Sequence, residues 1–473
     1  MQLVLWFKRL VFVALVFMAG CNQSDNNTDV KNAMADAIYY NGKIITVDDQ
    51  QPKAAVVAIQ DGSIIYVGDM RGAKPLISPA TRRIDLQGKT MIPGLVDAHG
   101  HVVVSGLQAA SANLLPQPDG RANSFFQIIN SLTDWLASDI GADFVANTGW
   151  LVGFGFDDSQ LDEKVFPTAA VLDMVSEDKP VLIIHQSGHF AVLNRKALAM
   201  AGIDDCRKDI PGGIIRCEKD GKTPNGVLEE NAFFTSLEVF QSSISDDFGL
   251  KLFDLGLQSF ARFGYTTAQE GRAFAASVVT AETRAGQKHL PIDVALYVDY
   301  SAKSALDNSA YFSGSGYQQP AYQNGLRIAG LKMTLDGSPQ GKTAWLTEPY
   351  FVPPQGQDKD YVGYPAMTAE QVNAEIMEAY AKDRQVLAHC NGDAAIDLYL
   401  DALAQAAEKY GVGDRRHVLI HGQTLRKDQI PRLKALGVIP SLFPMHTFYW
   451  GTGIKTRCWG LSALPIFRRR KMY

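Results

Sequence analysis

The stretch MIPGLVDAHGH (residues 91–101) is an apolar run that ends in two histidines. Successive side chains of a β-strand point to opposite faces, so His99 and His101, two residues apart, are predicted to share one face at the end of a strand. Two neutral imidazoles on one face can bind one metal ion, at about 2.0–2.1 Å per bond for zinc. Most HxH pairs bind no metal, so these two residues alone do not establish a metal site.

Similar apolar runs recur along the chain. Each ends in polar or glycine residues, and they are YTTAQEG (265–271), IDVALYVD (292–299), IAGLKMTLDG (328–337), QVLAHCNGD (385–393), HVLIHGQ (417–423) and VIPSLFPMH (438–446). Helix-like segments, such as 369–382 and 393–409, separate several of them. This alternation is typical of βα units in a parallel sheet. We therefore predict an α/β fold with a TIM (β/α)₈-type barrel, which here provides seven strands and lacks strand eight.

Three more chemically active side chains lie on these runs. His389 ends QVLAH, His421 ends HVLIH, and Lys332 lies within the apolar IAGLKMTL. The carboxyl ends of barrel strands meet at one rim, so the four histidines are predicted to converge there. Four independent histidines are the alternative. A buried lysine is costly unless it is paired or modified, so Lys332 is either a salt-bridged structural residue or a carboxylated lysine that bridges two cations.

An insertion of about residues 103–258 follows the first barrel strand. It contains the runs WLVGFGFD (150–157) and VLIIHQSGH (181–189). We expect it to shape a substrate pocket, although a plain buried strand end explains HQSGH equally well. The candidates for the lining of the pocket are Trp150, Phe154, His185 and His189. His446, at the end of the seventh strand, is a further candidate for substrate contact, with a helix or loop cap as the alternative.

The N-terminus has the features of a bacterial lipoprotein signal peptide, assigned to residues 1–20. Lys8 and Arg9 precede an apolar run that is too short to span a bilayer. Small residues then precede Cys21, the expected lipidation site, and residues 21–36 are a polar tether. An ordinary secretory signal with an incidental cysteine is the alternative. We expect an exported protein, anchored to the membrane through Cys21 and facing the periplasm or the exterior.

Residues 37–93 are predicted to form a small β-domain. Asn41-Gly42 and Asp61-Gly62 each separate two β-rich runs, which is the pattern of a hairpin turn. The domain is expected to be part of a β-sandwich.

Composition excludes several classes of protein. The 473 residues include 45 Lys+Arg and 50 Asp+Glu, and this formal net charge of −5 argues against nucleic acid as a partner. A hydrophobic fraction of 46% is that of a globular protein. Five widely spaced cysteines exclude a disulfide scaffold and a cysteine-based zinc finger. The oligomeric state is left open, with a homo-oligomer as one option.

Taken together, these motifs resemble the amidohydrolase superfamily of metal-dependent hydrolases. MIPGLVDAHGH, after a β-rich segment, is similar to its first barrel strand. LKMTLDGSPQGKTAWLTEPY, LAHCNGDAAID, LIHGQ and PSLFPMHTFYWG are similar to its YtcJ-like branch, which includes N-substituted formamide deformylases. The resemblance runs from about residue 37 to Gly451 and implies a TIM barrel, assigned to residues 94–451, beside a small β-sandwich built from both chain ends.

The resemblance also implies a metal site and its chemistry. One or two divalent cations, expected to be Zn²⁺, would be held by His99, His101, Lys332, His389 and His421. His389 and His421 would also take part in catalysis. In the family, an Asp at the end of strand eight is the remaining ligand and the general base.

The sequence after Gly451 departs from the family pattern. Residues 452–473 form a basic tail with six cations and no Asp or Glu, so no residue there corresponds to the Asp of strand eight. We expect a C-terminal truncation by a frameshift or a premature stop. A natural basic tail that touches the anionic membrane surface is the alternative.

The predicted function is hydrolysis of an amide, a formamide-like group or another non-peptide C–N bond in a small molecule by metal-activated water. The missing general base implies that this form of the chain is inactive or impaired. Two alternatives stay open: a non-catalytic lipoprotein that binds a small solute, and a non-functional truncated remnant.

Overall fold

The structure, a computed structural model, describes residues 34–312, 322–354 and 356–458. The chain divides into two compact units, residues 1–94 and 95–473. The expected signal peptide, Cys21 and most of the tether lie outside the described residues, as does the tail from residue 459 onward.

The N-terminal unit is a mixed sheet of five strands. These are β1 (Ala37–Ile45), β2 (Lys53–Gln60), β3 (Ser63–Gly68), β4 (Arg82–Asp85) and β5 (Thr90–Met91). β1 is antiparallel to β2 and parallel to β4 and β5, while β3 pairs with β2. Helix α1 (Met70–Ala73) begins at Asp69, whose side chain caps it. Ile38, Val56 and Ala58 form the buried core of this unit.

The two predicted hairpin turns have different outcomes. Asp61-Gly62 links β2 and β3, with φ angles of 48° and 74°. Asn41-Gly42 lies inside β1 instead, where the pairing register with β2 shifts, and the prediction of a turn there is wrong. A Cβ on Gly42 would lie 2.6 Å from the carbonyl oxygen of Lys89, so the close approach of the segment after β4 requires glycine at this position.

The second unit contains a curled sheet of seven parallel strands. In spatial order they are β6 (Leu95–Val96), β13 (Tyr265–Ala273), β14 (Asp293–Asp299), β15 (Leu326–Thr334), β16 (Val386–Cys390), β17 (Val418–His421) and β18 (Ile439–Leu442). Each predicted barrel run contributes one of them. Leu296, Met333 and Leu403 belong to the large core that includes the inner strands and the surrounding helices. The predicted class, a TIM-like barrel with a separate N-terminal sheet, is confirmed.

The two edges of this sheet carry exposed apolar side chains. In the described part of the chain, β6 pairs only with β13 and β18 only with β17. Val96 on β6 is 69% exposed and Leu442 on β18 is 59% exposed. Unpaired edges of this kind can accept a further strand.

The insertion folds around a second sheet of six strands. In spatial order they are β11 (Gly213–Cys217), β12 (Pro224–Glu230), β10 (Phe190–Leu193), β9 (Val181–His185), β8 (Leu151–Phe156) and β7 (Ala112–Asn113). Its own core includes Leu114, Trp150 and Ile183. The insertion is therefore a folded layer that can support side chains rigidly.

The helices of the second unit begin with polar caps at several places. They are α2 (Val102–Ala110), α3 (Phe125–Leu136), α4 (Asp139–Thr148), α5 (Ala169–Asp173), α6 (Arg195–Met200), α7 (Asn231–Gln241), α8 (Asp246–Ala261), α9 (Ala275–Gln287), α10 (Lys303–Asn308), α11 (Ala369–Ala381), α12 (Asp393–Tyr410), α13 (Gln429–Ala435) and α14 (Met445–Cys458). Thr368 and Gln371 form a capping box at α11, and Ser245 caps α8. Among the described helices, none combines the length and apolar character needed to cross a membrane.

A single disulfide fastens part of the insertion. Cys206 is bonded to Cys217, the last residue of β11, and Cys390 is buried and free. One bond of this kind does not make a disulfide scaffold. It does tie β11, an edge strand of the insertion sheet, to the segment after α6.

Replacement of Cys206 and Cys217 by serine is expected to lower the free energy of unfolding by about 2–3 kcal/mol, because the bond restricts a short loop of the unfolded chain. Urea unfolding with and without a thiol reductant tests this. The reductant should lower the wild-type midpoint and leave the double variant unchanged. A fully reduced wild type with an unchanged midpoint contradicts the prediction.

Candidate active site

The predicted metal-binding residues lie at or beyond the carboxyl ends of barrel strands. His389 belongs to β16, His421 ends β17, and Lys332 lies near the end of β15. His99 and His101 follow β6, and His101 is the N-cap residue of α2. All five line one cavity of about 800 Å³. The parallel sheet thus collects side chains that are up to several hundred residues apart in the chain.

The four imidazoles form a contiguous cluster. The ring centroid of His99 lies 5.1 Å from that of His101 and 5.6 Å from that of His421. The His389 and His421 centroids are 4.8 Å apart. Lys332 is 2% exposed, and no carboxylate of the described residues forms an ion pair with it. The salt-bridged alternative for Lys332 therefore has no described partner.

Hydrogen bonds fix the orientation of two of these rings, and a carboxylate lies near a third. His99 Nδ1 lies 2.6 Å from the amide oxygen of Gln269, and His389 Nε2 lies 3.0 Å from the carbonyl oxygen of Gly337. Oxygen only accepts in these pairs, so the ring nitrogen donates and the opposite nitrogen keeps its lone pair. His101 Nδ1 is 3.5 Å from Glu270. Anchoring of one ring nitrogen in this way is typical of metal-ligating histidines.

Desolvation keeps three of these rings neutral. Desolvation holds the pKa of His99, His389 and His421 well below the ordinary value, and the charges of Lys332 and neighbouring histidines add to the effect. Burial, assisted by Arg272, also lowers the pKa of Lys332 to about 7. Neutral imidazoles are the form that binds a metal, so this donor set fits a divalent cation.

His189 brings a second polar group to the cavity from the insertion. Its ring centroid is 4.8 Å from that of His389, and its Nδ1 lies 2.7 Å from Glu230. The other carboxylate oxygen of Glu230 accepts from Thr343 Oγ1 at 2.6 Å. Glu230 is 1% exposed and has a φ of 47°, which is unfavourable for a residue with a side chain. The backbone strain is therefore located where Glu230 meets His189.

His446 also lines the cavity. It is the second residue of α14, and its Nδ1 contacts the amide oxygen of Gln423 at 2.9 Å. Burial lowers its pKa to about 4. His446 is a neutral group within reach of a ligand.

Two predicted lining residues lie elsewhere. Trp150 is 1% exposed and packs against Phe240 in the core of the insertion, at 5.6 Å between ring centroids. His185 is not among the cavity-lining residues, although its neighbours Ile184 and Gln186 are. Side chains alternate along β9, so His185 is turned to the opposite face. Phe154, in contrast, lines the cavity.

His185 meets two carboxylates on that opposite face. Its Nε2 lies 3.3 Å from Asp158 and 3.8 Å from Asp157. Among the described residues, this is the one group of three His, Cys, Asp or Glu side chains whose potential metal-ligating atoms all lie within 4.8 Å of one another. Ser187 contacts the other ring nitrogen through its backbone nitrogen and Oγ. Nδ1 accepts from the Ser187 backbone and two carboxylates face Nε2, so the proton lies on Nε2; the same three side chains are also a possible cation site. Burial opposes the charge, but the two carboxylates raise the pKa of His185 to about 9.

The cavity wall contains polar atoms that are left without partners. Four buried side-chain atoms that line it make no hydrogen bond within the described residues: Gln186 Oε1, Ser338 Oγ, Gln340 Oε1 and Asn391 Oδ1. Buried polar atoms are normally paired, so these four atoms are positions at which a polar ligand or water can complete the site.

Some of these residues were not found by sequence reasoning. Gln269, Glu270 and Arg272 follow one another at the end of β13, in TTAQEGRA. The signal that identified the histidines, polar residues at the end of an apolar strand, was present there as well. Glu230 gave no comparable signal, because its role depends on a contact between β12 and the loop before β10.

The barrel and the cluster at its strand ends define a metal-dependent hydrolase of the amidohydrolase superfamily. The profile of the Amidohydrolase family matches residues 82–459, and the chain belongs to this family. The match extends slightly beyond Gly451.

Several relatives are similar to this chain in sequence. The chain is 29% identical over 422 residues to the exoenzymes regulatory protein AepA of Pectobacterium carotovorum subsp. carotovorum, covering 89% of this chain and 86% of that protein. It is 26% identical to YtcJ of Bacillus subtilis, covering 86% and 73%. A shorter match, 28% over 199 residues, covers 42% of this chain and 35% of the N-substituted formamide deformylase of Arthrobacter pascens.

An uncharacterized metal-dependent hydrolase from Pyrococcus horikoshii has the same fold. The TM-score is 0.65 at 24% sequence identity, over 88% of this chain and 76% of that one. This likeness concerns the architecture.

The ion pair of His185 predicts a specific pH dependence of stability. The pKa of His185 is raised from 6.5 to about 9, so its contribution is complete below pH 6.5 and is lost as the pH rises through about 9. At low pH, His185→Gln should cost up to about 3 kcal/mol, the equivalent of this shift. The difference in unfolding free energy between wild type and variant, measured from pH 6 to 10, should shrink. A constant difference contradicts the prediction.

Proposed function

We propose that this protein is a metal-dependent hydrolase that cleaves an amide, a formamide-like group or another non-peptide C–N bond of a small molecule. The observation that carries the proposal is the set of desolvated, neutral histidines His99, His389 and His421, of which His99 and His389 each have one ring nitrogen fixed by a protein acceptor. The match to an N-substituted formamide deformylase supports the choice of bond.

Zinc suits this donor set. Imidazole nitrogen is a preferred zinc ligand, and one or two ions would be held by His99, His101, His389 and His421. Lys332, buried and without a described ion-pair partner, would bridge two ions if it were carboxylated. When bound, a divalent cation polarises the carbonyl group and makes water nucleophilic near neutral pH.

The protein's own side chains would bind and orient the substrate. Glu230 accepts from His189 Nδ1 and so fixes a ring that lines the cavity. Gln186, Gln340 and Asn391 present amide oxygens without partners among the described residues. These acceptors favour a substrate with N–H donors, as an amide provides.

None of the described residues is assigned as the general base. The family pattern implies an Asp after strand eight, and the described barrel sheet has seven strands. Metal binding does not require that carboxylate. Metal content is therefore the primary measurement, and hydrolysis is the second.

Purified full-length protein loaded with zinc and then dialysed should retain at least one ion per chain by elemental analysis. His99→Ala and His421→Ala should lose it, since each removes a ligand. Gln269→Leu should bind about 10- to 100-fold more weakly, because it frees the His99 ring. His289→Ala, an exposed histidine outside the cavity, is the matched control.

A wild type without retained zinc, or equal retention in all variants, would contradict the proposal. Hydrolysis is measured as release of the amine from a panel of N-substituted formamides and other amides. Zinc-dependent turnover that His99→Ala abolishes supports the enzyme. Ligand binding without metal would favour the solute-binding alternative.

We further propose that the protein is exported and held on the membrane by a lipid on Cys21. The disulfide between Cys206 and Cys217 supports export, because such bonds persist in oxidising compartments. Labelled palmitate should enter the wild type and not Cys21→Ser, which should appear in the soluble fraction. A mature protein that begins elsewhere than residue 21 would refute the anchor.

A further inference from the structure

Arg272 is a cation in the cavity wall that the proposed metal chemistry does not use. It lies in β13, three residues after Gln269, and its side chain is 16% exposed. A guanidinium carries its charge at every relevant pH, so its partial burial needs a partner.

Asp299 satisfies one edge of this guanidinium. Its Oδ2 accepts from Arg272 Nε at 2.8 Å, while its Oδ1 accepts from the backbone nitrogen and Oγ of Ser301. Within the described residues this is the one hydrogen bond of the Arg272 side chain. The two Nη groups, which carry four N–H donors, make none.

The neighbouring carboxylates are occupied elsewhere. Glu270 accepts from the backbone nitrogens of Val103 and Arg272, and Glu230 accepts from His189 and Thr343. These carboxylates are therefore not the partner of the Nη groups.

Two aromatic rings hold the guanidinium in place. Its carbon lies 4.2 Å from the ring centroid of Phe234 and 5.1 Å from that of Phe274. Aromatic contacts and the bond to Asp299 fix its orientation, so little conformational entropy is lost when a ligand binds.

Apolar side chains of the insertion also line the cavity. Phe234, Leu237 and Phe240 on α7, together with Phe154 and Ile184, line it. A ligand group that lies here would be apolar, with an anionic end at Arg272.

We infer that Arg272 binds a carboxylate of the substrate, and that the substrate is an amide that carries both a carboxylate and an apolar substituent. A guanidinium with two free Nη groups matches the two oxygens of a carboxylate. That the bound molecule is a substrate rests on the proposed function, but the carboxylate-binding site itself can be tested without turnover.

The probes are N-benzoylglycine and its neutral analogue N-benzoylglycinamide, titrated calorimetrically into zinc-loaded full-length protein. The acid should bind at least about tenfold more tightly than the amide, because a hydrogen bond to a charged group is worth more than a neutral one. Arg272→Met should abolish this difference, and Arg272→Lys should retain part of it.

Arg262→Met is the matched control. Arg262 is exposed, also contacts a phenylalanine ring, at 4.6 Å from that of Phe263, and does not line the cavity. It should leave both affinities unchanged. Circular dichroism and the thermal midpoint establish whether each variant folds. If Arg272→Met does not fold, Arg272→Lys provides the test.

The outcomes separate this inference from the proposed function. Equal affinity for acid and amide in the wild type, or an equal loss of both in Arg272→Met, overturns the carboxylate site. Tight acid binding that depends on Arg272 supports it even if no amide is hydrolysed. Where turnover is measurable, Arg272→Met should raise KM for the acid more than KM for the neutral substrate; an equal change for both would overturn it.

Discussion

Desolvation of the imidazoles is the constraint on which the site depends. A histidine taken out of water stays neutral unless an anion faces it, and His99, His389 and His421 are neutral for this reason. Each neutral ring has one proton, and the protein determines its position by placing Gln269 and the Gly337 carbonyl beside a chosen nitrogen. His185 shows the opposite result, because two carboxylates face it and keep its charge.

Sequence alone predicts the barrel well because strand periodicity is local. Seven apolar runs became seven strands, and residues at their carboxyl ends reached one cavity. Features set by contacts between distant segments were not predictable. Asn41-Gly42 has the local pattern of a turn, yet the segment around Lys89 decides its conformation. His185 and His189 are both in HQSGH, but only His189 lines the cavity. The motif does not specify which strand face points to the cavity, so the sequence could not distinguish the two histidines.

The barrel and the insertion contribute different chemistry to one cavity. The barrel strands provide the histidine cluster, Lys332 and Arg272. The insertion provides His189 and the apolar wall around Phe240, supported by its own core. A change in the insertion can therefore alter which molecule is held without moving the histidine cluster. This division is consistent with the way one barrel fold serves many reactions.

The Cys206–Cys217 bond has a consequence for the order in which the site is built. β11, which ends at Cys217, pairs Gly213 with Glu230 on β12, and Glu230 is the strained residue that contacts His189. The same covalent bond thus secures the strand beside Glu230, which holds the His189 ring. Before oxidation, that strand is held by noncovalent contacts alone. Formation of the pocket therefore includes the oxidation of Cys206 and Cys217 as well as the folding of the chain.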